Sequence, residues 1–287
     1  MKWEGREKSK NVDDRRGQKV KVGGGIGIGT MVIIGLIYLF SSNPERLVSD
    51  LQLDKQMQQG NNQIAGARAA RPDDELADFV SVVLRETEVV WNKLFREQLG
   101  KRYQNPTLVI FDGKVQSACG FASAASGPFY CPGDQKLYID LSFYRQLSQR
   151  FNAPGDFAMA YVVAHEVAHH VQYQLGITQQ VHSKKGRISQ KEYNDLSVRM
   201  ELQADFLAGV WAHHAHLESQ ILERGDIEEA LNAASQIGDD KIQKQSQGYI
   251  VPDSFTHGSS EQRQRWFKKG ITTGDINQGD TFGARSL

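Results

Sequence analysis

Apolar residues recur along the chain in distinct ways, and each marks a different kind of element. From Leu76 through Phe79, Val80, Val83, Leu84, Val90, Trp91, Leu94 and Phe95 they fall three and four apart, behind Asp73, Asp74 and Glu75. That period, with acids in the first turn, predicts an amphipathic helix ending near Gly100. Thr107–Phe111 and Lys136–Asp140 are short apolar runs bounded by Pro and Gly, and predict strands. Residues 158–175 are apolar on nearly every face, with Asp156 placed to cap and Gly176 to stop a buried helix. A second long helix is expected over 190–216, on the stripe Leu202, Phe206 and Val210. Gly225-Asp226 restarts a helical run through Ala230, Leu231, Ala234 and Ile237, and a last helix carries Trp266 and Phe267 behind Ser259 or Ser260 as cap. The fold class expected is α+β, mostly helical, with a small β-sheet.

Ahead of this domain, at 72–287, the pattern changes. Residues 23–40 carry no charge, and 18 helical residues span about 27 Å, enough for a bilayer core. Residues 1–22 hold eight Lys/Arg against four Asp/Glu and read as a disordered basic tail. The positive-inside rule then predicts a single-pass inner-membrane protein, with the amino terminus in the cytoplasm and the domain periplasmic. A cleaved signal peptide fits less well, because no small-x-small site follows Phe40. The Gln/Asn-rich stretch 41–71 reads as a flexible stalk. Gly23/Gly27 and Gly25/Gly29 fit close helix packing and suggest a homo-oligomer.

Composition narrows the classes. Lys+Arg 34 balances Asp+Glu 34, so there is no global electrostatic case for a nucleic-acid partner. Cys119 and Cys131, the two cysteines, most simply form a disulfide outside the cytoplasm. A thiolate metal site lacks a local His partner, and free buried thiols would suit a cytoplasmic domain.

The chemistry concentrates on His165-Glu-Val-Ala-His169. Residues four apart share one face of a helix, so His165 and His169 can grip one Zn²⁺, with Glu166 beside a water in the open position. Glu201 and Asp205 are likewise four apart, beside small Ala204 and Ala208. In a largely apolar helix two carboxylates call for a cation. Glu201 supplies the third ligand that the first helix lacks, and Asp205 can accept the N–H of a ligand imidazole. His170 lies about 100° around the helix from its neighbour and is assigned to packing or a supporting bond. His213, His214 and His216 read as a surface cluster, and His182 as an incidental loop residue.

These motifs, with Asp253-Ser-Phe-Thr-His257-Gly, Gly127-Pro-Phe-Tyr-Cys131-Pro, Tyr138-Ile-Asp-Leu-Ser-Phe-Tyr144 and the opening Met-Lys-Trp-Glu-Gly-Arg, resemble the putative neutral zinc metallopeptidases of bacteria. More distantly, the His-Glu-x-x-His…Glu-x-x-x-Asp order resembles the gluzincins, a zincin-like fold. The resemblance implies ligands His165, His169 and Glu201, base Glu166, and Asp205 supporting a ligand His. It also implies that His257 and Arg263 stabilise the oxyanion or orient Asp205, against the alternative of a surface His and a helix-capping Arg. Gly258 stands where the related membrane proteases have Pro. The function expected is zinc-dependent hydrolysis of peptide or protein substrates. The alternatives are a non-hydrolytic, membrane-tethered zinc module, which needs no Glu166, or a hydrolase of peptidoglycan or small peptides at the same metal site.

Overall fold

The computed structural model describes residues 1–18 and 71–287. In chain order these form β1 (Val12–Asp14), α1 (Asp74–Gln98), β2 (Thr107–Phe111), β3 (Lys114–Ser117), β4 (Gly120–Ser123), β5 (Phe129–Cys131) and β6 (Lys136–Asp140). Then follow α2 (Ser142–Gln149), α3 (Asp156–Gln174), α4 (Ile177–His182), α5 (Gln190–Ser219), α6 (Asp226–Gln236), α7 (Asp239–Gln247) and α8 (Ser260–Thr273). The mostly helical α+β expectation holds. The expected membrane helix at 23–40, its glycine pairs and the stalk up to 70 lie outside the described residues, among which no helix is long and apolar enough to cross a membrane.

Both predicted strands form over the expected residues. They read as continuous apolar runs because both faces of the sheet are covered. Leu108, Ile110, Leu137 and Ile139 face the helical core, while Val109, Phe111 and Tyr138 face a smaller cluster with Val115 of β3 and Ala122 of β4. The order is β1-β2-β6-β5, parallel except for antiparallel β5. The two predicted strands, 107–111 and 136–140, hydrogen-bond to each other at the centre of the sheet. Both are interior strands, and the edge beside the helices of the site is β5. The Cys119–Cys131 disulfide, formed with S–S 2.01 Å, ties the end of that edge to the β3–β4 turn.

A larger correction concerns the amino terminus. Residues 1–18 are part of the domain and not a solvated arm. Val12, Asp13 and Asp14 pair in register with Leu108, Val109 and Ile110. Lys2 N–H donates to Ile221 O at 2.8 Å, Ser9 and Asn11 both donate to the buried Glu88, and Trp3 meets Phe79 edge-on. The Met1 ammonium reaches Asp156 at 2.7 Å and Asp226 at 3.3 Å. Asp112 accepts from Gly17 N–H at 2.7 Å and from Arg71 at 3.0 Å, so Gly17 and Arg71 meet at one carboxylate. A strand hydrogen-bonded into a sheet shares that sheet's compartment. With β1 in the sheet, the disordered-tail expectation does not hold for residues 1–18.

Helix α3 is buried along most of its length and packs on α1, α5 and α6. Its start differs slightly from expectation: Gly155 is the cap, at φ 114, and Asp156 is the first helical residue, engaged by Met1. Helices α5 and α8 cross backbone to backbone. A Cβ on Gly209 would strike Phe267 O, and one on Gly270 would strike Phe206 O. This approach brings the start of α8, capped by Ser259, against the middle of α5. Sequence reads a loop around His182 ahead of the helix expected from 190. Residues 177–192 form α4 and then the capping box in which Ser189 and Glu192 bond reciprocally at the head of α5.

Candidate metal centre

Helices α3 and α5 present three donors to one point. His165 Nε2 lies 3.1 Å from Glu201 Oε2, and His169 Nε2 lies 3.4 Å from Glu201 Oε1. Any two ligands of a tetrahedral zinc site are about 3.3 Å apart when each bond is about 2.0–2.1 Å. Among the described residues, His165, His169 and Glu201 form a group whose donor atoms all lie within 4.8 Å of one another.

The opposite ring nitrogens are committed. His165 Nδ1–H donates to Asp205 at 2.8 Å, and His169 Nδ1–H to Gln172 Oε1 at 2.9 Å. Those bonds fix the tautomer and leave each Nε2 lone pair facing the shared point. Gln172, fully buried, is itself held by donating to Met200 O at 2.7 Å and Gln203 at 3.1 Å. The donor set and its support fit zinc.

Electrostatics agree with geometry. Burial alone would lower His165, but Asp205 and Glu201 outweigh it and raise it to about 10. Burial would raise Glu201 and Asp205, yet His169 with His165, and Arg263 with His165, hold them down, Asp205 to about 2. Positive charge is thus favoured where the three donors meet. Glu166 is raised by burial, against the pull of His169 and His165. It opens on the same cavity of about 440 Å³ as the three donors.

Arg263 and His257 come to the site from the last helix and the loop before it. Arg263 is buried and chelates Asp205, Nε to Oδ2 at 2.8 Å and Nη2 to Oδ1 at 2.9 Å. Its remaining bonds go to Tyr161 Oη and Ile237 O. That geometry matches orientation of Asp205. His257 is half-exposed and lines the cavity, with Nδ1 3.2 Å from Asp239. Asp239 also accepts backbone N–H groups of Thr256, His257 and Gly258 at 2.6–3.1 Å. Gly258 has φ 95, which proline, fixed near −65°, does not adopt.

Several supporting residues carry no legible signal. Gln172, Tyr161 and Asp239 act here, and only Gln172 and Tyr161 stand at helical spacing from the paired histidines. His170 turns away, bonding Tyr130 Oη and Gln104 O, and burial lowers it to about 4. His213 and His214 bond Ile271 O and Gly274 O at the end of α8. His182 is not in a loop: it ends α4 and lines the cavity. A second group, Asp156, Asp226 and Glu229, also converges within 4.8 Å, but the Met1 ammonium already compensates two of its carboxylates.

Residues 1–282 match the protein family described as "Putative neutral zinc metallopeptidase". The chain is 45% identical over 295 residues to the uncharacterized protein YpfJ of Escherichia coli, covering 99% of each. It is 42% identical over 212 residues to the uncharacterized protein Rv2575 of Mycobacterium tuberculosis, covering 70% of this chain and 68% of that one. No solved structure matches.

Proposed function

The chain belongs to the Putative neutral zinc metallopeptidase family, and we propose that it hydrolyses peptide bonds at the His165–His169–Glu201 centre. The observation that carries this reading is the pair of 3.1 and 3.4 Å approaches between the imidazole Nε2 atoms and Glu201, with Glu166 opening on the same cavity. Zinc held there would polarise a water and the scissile carbonyl. Glu166 accepts the proton of the attacking water and returns it to the leaving amine, and its raised affinity for protons suits that exchange. His257, oriented through Asp239, donates to the oxygen on which charge develops. Arg263 and Tyr161 lock Asp205, which in turn locks His165. Edge strand β5 can pair with an extended substrate beside Glu166.

A location outside the cytoplasm is part of the same reading. Its support is the Cys119–Cys131 disulfide, and residues 1–18 accompany the domain.

Metal removal tests the reading. Stripping with a chelator should abolish cleavage of an unstructured protein, and one equivalent of zinc per chain should restore it. Cleavage that survives in metal-free protein would remove zinc from the mechanism.

A further inference from the structure

The cavity extends from the metal centre toward the end of α2, where the exposed Arg150 stands. Among the charged side chains lining it, Glu166 and Glu201 belong to the metal centre, and Arg263 is spent on Asp205. Arg150 lines the same cavity and, among the described residues, has no carboxylate within ion-pair distance. Its guanidinium instead sits 5.3 Å from the centre of the Phe151 ring, and Phe151 is paired with Phe143 at 6.4 Å. Both rings line the cavity, as does Val162, one helical turn before His165.

This turn is held in place. Asn152 adopts φ 50, a left-handed conformation that costs a non-glycine residue energy and persists where surrounding bonds enforce it. Asn152 O accepts from Asn232 on α6 at 2.9 Å, and Ala153 N–H donates to Leu147 O at 2.9 Å. The backbone therefore fixes where Arg150 and Phe151 stand. With zinc in place, its two positive charges would be matched by Glu201 and Glu166, leaving Arg150 as the uncompensated charge among the arginines and carboxylates of the wall.

We propose that Arg150 sets substrate specificity, selecting peptides that carry a carboxylate next to an apolar or aromatic side chain. The aromatic pair takes the apolar group, and the guanidinium takes the carboxylate. The carboxylate comes either from an Asp or Glu side chain or from the carboxyl terminus of a short peptide. The inference rests on the peptidase reading.

The test uses full-length enzyme and quenched fluorescent peptides that differ only at two places: Asp against Asn beside a Phe, and free acid against amide at the carboxyl terminus. Wild type should favour the acidic partner of one pair by about tenfold in kcat/KM, mostly through KM. The pair that discriminates identifies the source. Arg150→Glu should abolish or invert the preference, and Arg150→Lys should keep part of it. A preference that Arg150→Glu leaves intact, or no preference in wild type, overturns the proposal while the peptidase reading stands. If wild type cleaves nothing above the rate of Glu166→Gln, the peptidase reading fails. Calorimetric binding of the same peptides to Glu166→Gln, with and without Arg150→Glu, then decides the role of Arg150: tighter binding of acidic peptides that the charge reversal removes supports it, and equal binding overturns it.

Discussion

Asp205, 0% exposed, accepts from Tyr161, His165 and Arg263 at once. A buried carboxylate survives there because a bidentate guanidinium compensates it. Arg263→Met keeps the volume but leaves that charge uncompensated, at a cost of about 3–5 kcal/mol in urea unfolding at neutral pH. The pH dependence follows from sign. Arg263 and His165, against the opposing effect of burial, lower Asp205 to about 2. A depressed carboxyl contributes stability that is complete above its unfolded value, about 3.9, and is lost as pH falls toward 2. The gap between wild type and Arg263→Met should therefore be widest near neutrality and shrink as pH falls from there toward 2. A gap that stays constant through that window would assign the loss to packing. His165 and His169 are legible from their own spacing, whereas Asp239 is not. It stands 18 residues before His257 and shows no local pattern, because only the folded loop delivers three N–H groups to it.

Elements whose apolar pattern is local were readable: α1, α3, α5 and the strands β2 and β6 fall close to expectation. Those set by distant partners were not. β5 has three residues and is recognisable only by its pairing with β6. β1, Val12–Asp14, has one apolar residue among three, so nothing in its sequence separates it from a solvated arm. What makes it a strand is β2, an apolar neighbour 96 residues away in register that offers it an unpaired side. That pairing has a topological consequence. Single cysteines at exposed Lys10 and exposed Gln245, probed in intact cells and after permeabilisation with an impermeant maleimide, should label under the same conditions. Labelling of one from outside while the other needs permeabilisation would show that β1 leaves the sheet in the cell.

At the scale of the whole molecule, the site is a convergence of segments far apart in sequence. α3 brings His165, Glu166 and His169, α5 brings Glu201 and Asp205, β5 lines the cavity with Phe129 and Tyr130, and α8 brings Arg263. The glycine contact of α5 on α8, through Gly209 and Gly270, makes the last of these meetings close enough for a bidentate ion pair. The three donors that converge were readable in the sequence because metal chemistry restricts residue type and helical spacing. The cavity wall that chooses a substrate was not, since Arg150 and Phe151 gain their position from a turn held by α6. The test that bears most directly on all of this is product analysis by mass spectrometry. Wild type and Glu166→Gln, matched at one zinc per chain, are incubated with the same mixed peptide library. Loss of the proton acceptor should slow every cleavage by about 10²–10⁴-fold while zinc content stays equal. Equal product formation by the two proteins would contradict hydrolysis at this centre.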